Sequence, residues 1–216
     1  ILPLCGKGLP AAFQQSIPAI STSFLTSLVS GFGISAIAAY GVAGKLEILL
    51  FYPAMALNMV LTAIVGQCAG GGRLDRAKDY LKLSLLYGGV CLAVLSFLVV
   101  CFAQPLCRLF VDSTKVNQIV QTYFQIIGVG YVLNTVTNCF LGAVNGLGKP
   151  GKSLVCMVLY YLIVRMPLAW ILMILGFGLN GIWAAVLLSH VVATAAACLV
   201  GRKEMIPSPR KACVCR

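Results

Sequence analysis

The chain has 216 residues, of which 60% are hydrophobic and only 10% charged, with a mean hydropathy of +0.98. Soluble domains carry about 25% charged residues, so this composition excludes a soluble globular protein and predicts an all-α integral membrane fold. The net charge of +11 does not signal nucleic acid: the basic residues punctuate apolar runs, as in loops facing the cytoplasm, and no aromatic-basic array accompanies them.

The chain opens at Ile1 in ILPLCGKGLP, without a basic-then-apolar signal segment; it is expected to be a piece of a longer protein, with residues 1–8 the end of a cytoplasmic loop. A first crossing is predicted at 11–30. It is unusually polar, with Gln14, Gln15, Ser16, Ser21, Thr22, Ser23, Thr26 and Ser27. Pro18 removes one backbone donor and frees the carbonyl of Gln14, which makes Pro18 a candidate hinge and the two glutamines candidate pathway residues. Helix–helix hydrogen bonding explains the same polar set equally well.

After the turn Gly31-Phe32-Gly33, a second crossing is predicted at 34–67, longer than the roughly 20 residues that a hydrocarbon layer requires. Lys45 and Glu47 sit near its middle, followed by Pro53 and Asn58. Charges at that depth normally face protein or a wet cavity and have a function, so both charges and Asn58 are candidate pathway residues and Pro53 is a second candidate hinge, breaking the helix. A buried structural contact is the competing reading. Two residues apart, Lys45 and Glu47 do not face each other on a helix.

The glycine run at Gly70–Gly72 ends that helix, and RLDRAKDYLK is read as an interfacial amphipathic turn before a third crossing at 80–103. The segment with Pro105, Arg108, Asp112 and Lys115 predicts a short helix on the outer surface. A fourth crossing at 116–147 carries Asn134 and Asn138, candidate pathway residues, and Gly128 and Gly130, expected to allow close packing. NGLGKPGKS forms a tight break. A fifth crossing at 153–175 contains Arg165, a candidate counter-charge to Glu47, and Pro167, a third candidate hinge. GFGLNG turns the chain into a sixth crossing at 179–200, with residues 202–216 a basic tail.

Placing Lys7, the Arg73–Lys82 loop, Lys149, Lys152 and the tail on one side gathers twelve basic residues there, against Arg108 and Lys115 on the other. The positive-inside rule then makes both ends cytoplasmic in a multi-pass protein of the plasma (inner) membrane. The ten cysteines include no CxxC pair and His190 is the single histidine, so neither a metal site nor a disulfide framework is expected. Cys213 and Cys215 lie in the tail, where acylation and an unmodified exposed tail are both open. No catalytic grouping is evident, and an enzyme is not expected.

GLP at Gly8–Pro10, IAAYGVAGKLEILLFYPAMALNMVLTAIVGQCAGGGRLDRAK, GAVNGLGKPGKS and GFGLNGIWAAVLLSH occur in an order and spacing that resembles the C-terminal six-helix lobe of a multidrug and toxic compound extrusion (MATE) transporter, across about 9–201. The resemblance implies a partner N-terminal six-helix lobe, a cavity between the lobes, a lipid surround and exchange of Na⁺ or H⁺, with no other cofactor, for small organic cations or amphipathic compounds. One departure stands out. Some members carry an acidic cation-site residue in the first helix of this lobe, and aligning from GLP puts Pro18 there. Coupling then resides in the other lobe, or Glu47 substitutes. A lipid-linked precursor flippase of the same superfamily and a non-transporting membrane scaffold are the alternatives.

Overall fold

The computed structural model describes the backbone of residues 2–205 and the side chains of 8–10 and 12–205; the side chain of Lys7 and the tail from 206 on, with Arg210, Lys211, Cys213, Cys215 and Arg216, lie outside the described residues. Every regular element among the described residues is helical. They are α1 (Leu2–Ser30), α2 (Ile34–Gly70), α3 (Leu74–Cys101), α4 (Ala103–Arg108), α5 (Thr114–Gly146), α6 (Pro150–Val158), α7 (Met166–Leu172) and α8 (Gly178–Met205). Wider π-helical turns continue α6 into α7 over Leu159–Arg165 and follow α7 over Met173–Phe177.

Four stretches are long and apolar enough to cross a membrane: Ile34–Gly70, Leu74–Cys101, Thr114–Gly146 and the run Pro150–Met205. Gly176 (φ 87°) and Gly178 (φ 58°) break that last run. Both occupy the left-handed region, which glycine enters without the steric cost of a Cβ. Gly178 approaches Phe32 in the α1–α2 turn, which places the α1–α2 and α7–α8 turns at one end of the bundle. At the other end, Glu204 of α8 accepts hydrogen bonds from Lys149 of the α5–α6 turn and Lys152 in the first turn of α6.

Helix α5 is the hub. It packs most extensively against α2 and α8, then α3, and it carries the densest set of buried side chains. Glycines set its spacing to α2. A Cβ on Gly142 would lie 2.6 Å from the carbonyl oxygen of Asn58, and one on Gly146 2.7 Å from that of Thr62. The four-residue interval puts both on one face of α5, so backbone meets backbone where bulkier residues would hold the helices apart. Thr62 Oγ bonds the carbonyls of Asn58 (2.8 Å) and Gly142 (3.1 Å) across this seam. Gly128 likewise seats Val100 of α3, and its carbonyl accepts a bond from Ser96 at 2.7 Å.

Two features differ from the expectations. RLDRAKDYLK is not a separate turn but the first part of α3, which starts at Leu74. Nothing in it breaks a helix, and Asp75 in the first turn suits the positive end of the helix dipole. Helix α2 runs without interruption through Pro53, as α1 does through Pro18. The short helix expected after the third crossing is present as α4, six residues long and anchored through buried Ala103 and Cys107 and a Gln104–Gln121 side-chain bond of 2.6 Å.

Candidate functional site

A cavity of about 730 Å³ opens among α1, α2, α5, the α6–α7 segment and α8. Gln14, Gln15, Pro18, Glu47, Asn58, Asn134, Asn138 and Arg165 all line it. Lys45 does not: it is exposed on the outward face of α2. Two residues on a helix are about 200° apart, so turning Glu47 inward turns Lys45 away.

Glu47 is the only carboxylate among the cavity-lining residues. Tyr123 and Tyr131 of α5 both donate their hydroxyls to its Oε1, Tyr131 at 2.6 Å. Aromatic packing holds these donors. Tyr123 stands edge-on to Trp183 with ring centres 4.7 Å apart, Trp183 stacks on Tyr40 at 5.6 Å, and Tyr131 meets Phe51 edge-on at 5.8 Å. The residue that the sequence reading missed here is Tyr123. A signal for it was present: at about 100° per residue, Tyr123, Tyr131, Asn134, Asn138 and Asn145 fall within an arc of about 80°, one polar stripe along α5.

The amides of that stripe tie the walls together. Asn58 donates from Nδ2 to the Asn138 carbonyl (3.0 Å), and Asn138 to the Asn134 carbonyl (3.0 Å). Gln14 donates to the Pro150 carbonyl (2.9 Å) and accepts from Asn145 (3.2 Å), so it joins α1 to the α5–α6 turn. Gln15, one position on, is exposed at the rim. Among the candidate hinges, Pro18 borders the cavity, Pro53 is half-buried within α2, and Pro167 lies in the first turn of α7 directly after the π-helical segment. π-helical turns of this kind recur at functional sites.

Arg165 ends that segment. Its Nε donates to Ser189 Oγ (2.9 Å) and its Nη2 to His190 Nε2 (3.1 Å), while the guanidinium lies over the Tyr161 ring, 4.6 Å from its centre. Guanidinium only donates, so His190 Nε2 accepts and its proton sits on Nδ1. The expected pairing of Arg165 with Glu47 is not present: among the described residues no ion pair joins them, and Arg165 is bonded to α8 while Glu47 is bonded to α5.

The arrangement is a membrane-embedded cavity with one carboxylate, one guanidinium, one imidazole and a lining of amides and aromatic rings. A sequence model described as MatE matches residues 10–171, three-quarters of the chain. The chain belongs to the MatE family. It is 30% identical over 160 residues to a protein of Shewanella oneidensis named FAD transporter, covering 74% of this chain and 35% of that protein. It is 24% identical over 181 residues to a Thermotoga maritima protein named probable multidrug resistance protein NorM, covering 82% of this chain and 38% of that one. Among solved structures, the Vibrio cholerae MATE transporter VcmN in its bent form superposes with a TM-score of 0.83 at 23% identity, over 91% of this chain and 44% of that one. A MATE structure in the straight conformation gives 0.85 at 20% identity, over 92% and 45%. This MatE chain thus spans well under half the length of the relatives it matches, and it is a multi-pass membrane protein of a transporter family.

Proposed function

We propose that the chain forms one lobe of a secondary active efflux antiporter that exchanges Na⁺ or H⁺ for cationic or amphipathic compounds. In this reading it crosses the plasma membrane six times, with α6–α7 as the fifth crossing and α8 as the sixth, and both ends are cytoplasmic. A second six-helix lobe closes the cavity from the other side. Alternating access follows when two such bundles rock about a site near mid-depth.

The observation that carries this reading is Glu47, a cavity-lining carboxylate held on one oxygen by two phenols. A cavity-lining carboxylate with one oxygen held by two phenols can take a proton or, together with neutral amide and hydroxyl oxygens, a Na⁺ ion, but not both at once. That exclusivity is what exchange requires. Glu47 thereby supplies, from the second helix, the acid that Pro18 does not supply in the first.

The test is ethidium efflux by the intact transporter in proteoliposomes, under a Na⁺ gradient and a proton gradient applied separately. Glu47→Gln keeps the hydrogen-bonding shape and removes the charge. It is expected to lower gradient-driven efflux at least tenfold while leaving protein levels unchanged. Unchanged efflux would remove Glu47 from coupling.

A further inference from the structure

The relatives' names leave the charge of the cargo open, and the cavity contains a feature that cation transport does not use. Arg165 is 6% exposed, lines the cavity and carries a full positive charge. An unbalanced charge at membrane depth is costly, and no carboxylate among the described residues pairs with it. Its contacts occupy only part of the group: of five N–H donors, one goes to Ser189 and one to His190. Both lie on the α8 side, so Nη1 and the second Nη2 hydrogen stay without an acceptor among the described residues. Those contacts fix the plane of the fork. The stack against Tyr161, with Tyr160 5.8 Å away, fixes it from the side.

From this geometry we infer that Arg165 is an anion subsite within the cavity and that the cargo is an aromatic compound bearing an oxyanion, a carboxylate or a phosphate. The free N–H donors match the two oxygens of such a group, the bidentate pairing that guanidinium favours. Tyr160 and Tyr161, lying against each other with ring centres 4.0 Å apart, are themselves buried, and half-buried Met157, packed against them in the same cavity, offers apolar surface for the ring system. Glu47 sits on the α2–α5 side, so the coupling ion and the anionic end of the cargo have separate places. The inference rests on reading the cavity as the cargo site.

Two flavins provide matched probes, since riboflavin and flavin mononucleotide share a ring system and differ by one phosphate. Binding to the wild-type intact transporter in phosphatidylcholine nanodiscs is read from quenching of flavin fluorescence. The phosphorylated flavin is expected to bind about tenfold more tightly. Arg165→Gln is expected to erase that preference while leaving riboflavin binding in place, and Arg165→Lys, which keeps the charge but loses the planar fork, to retain only part of it. Equal binding of the two flavins by wild-type protein would overturn the subsite, a result that does not depend on any variant folding. Loss of the preference when phosphatidylglycerol is added would reassign the arginine to a lipid phosphate and overturn the cargo assignment. Efflux of ethidium and of flavin mononucleotide under the two gradients separates this inference from the antiporter reading. Gradient-driven efflux with no flavin preference defeats the subsite alone; flavin preference with neither compound moved by either gradient defeats the antiporter reading alone.

Discussion

The two walls of the cavity are built on opposite plans. The α2–α5 wall is regular helix throughout, closed by glycines at backbone contact, and it presents the acid. Facing it, the α6–α7–α8 wall is interrupted by π-helical turns and by Gly176 and Gly178, and it presents the base. Regular helices at glycine spacing have few ways to shift without losing their fit. A wall with widened turns can exchange hydrogen-bond partners locally. The contrast implies that the acid sits on the fixed element and that conformational change is taken up opposite it.

Small residues test this contrast most directly. Gly142→Ala would bring a methyl to 2.6 Å from the Asn58 carbonyl oxygen, with backbone on both sides of the clash. The α2–α5 seam must then open, at a cost near the upper end of the ~1–3 kcal/mol typical of overpacking. Gly181→Ala meets the Cβ of Phe177 at 2.7 Å, but that atom belongs to the irregular turn that Gly176 and Gly178 bracket. Relief there is local, and the expected loss is at most about half as large. Gly151→Ala has nothing within 4 Å and serves as the control. Thermal unfolding in detergent ranks the three. Equal losses at 142 and 181 would break the distinction between the walls.

A second test concerns what the rigid wall holds. Tyr123→Phe and Tyr131→Phe each remove one hydrogen bond to a carboxylate, a contact worth ~1.5–3 kcal/mol. Either change alone leaves Glu47 one phenolic donor. The double variant leaves it none from this pair. Each single variant is expected to shift the Na⁺ or H⁺ concentration for half-maximal ethidium efflux about tenfold, and the double variant by more than the product. Additive shifts would mean that the phenols act on packing rather than jointly on Glu47.

How far these features could be read in advance follows from their physics. Hydropathy and glycine placement mark the helices, since the energy of leaving water is summed over many residues and depends little on neighbours. The polarity of the cavity was also visible in Gln14, Asn58, Asn134 and Asn138, because a polar side chain in a membrane helix must face protein or water. What one strand of sequence could not separate was direction. Lys45 and Glu47 lie in the same apolar run, yet only one faces the cavity, and which one follows from the face of α2 that buries Ala43, Leu46, Leu50 and Ala54 against its neighbours. Arg165 was legible as a buried charge, but its partners Ser189 and His190 lie across a turn, 24 and 25 residues away. The π-helical segments had no compositional mark beyond Pro167.

The smallest expected effect lies where the two walls are tied. Glu204 at the end of α8 accepts from Lys149 in the α5–α6 turn and from Lys152 in the first turn of α6, so its Lys149 arm links the base-bearing wall to the end of α5. Hydrogen bonds from Lys149 and then Lys152 pull the Glu204 carboxyl down to about 2, from a usual 4.5, against the opposing effect of burial. Its folded-state acidity is thus greater than its unfolded one. The stabilisation is fully present above pH 4.5 and is lost as the pH falls through about 2. Half-exposed Lys152 and partly exposed Lys149 keep the gain small, below about 1 kcal/mol at neutral pH. Glu204→Gln is therefore expected to lower thermal stability slightly at pH 7 and pH 5, with the gap to wild type narrowing at pH 4 and further at pH 3. A gap that persists unchanged down to pH 3 would mean that Glu204 ties the walls by packing alone. In that case the charge cluster would contribute nothing to holding the flexible wall against the rigid one.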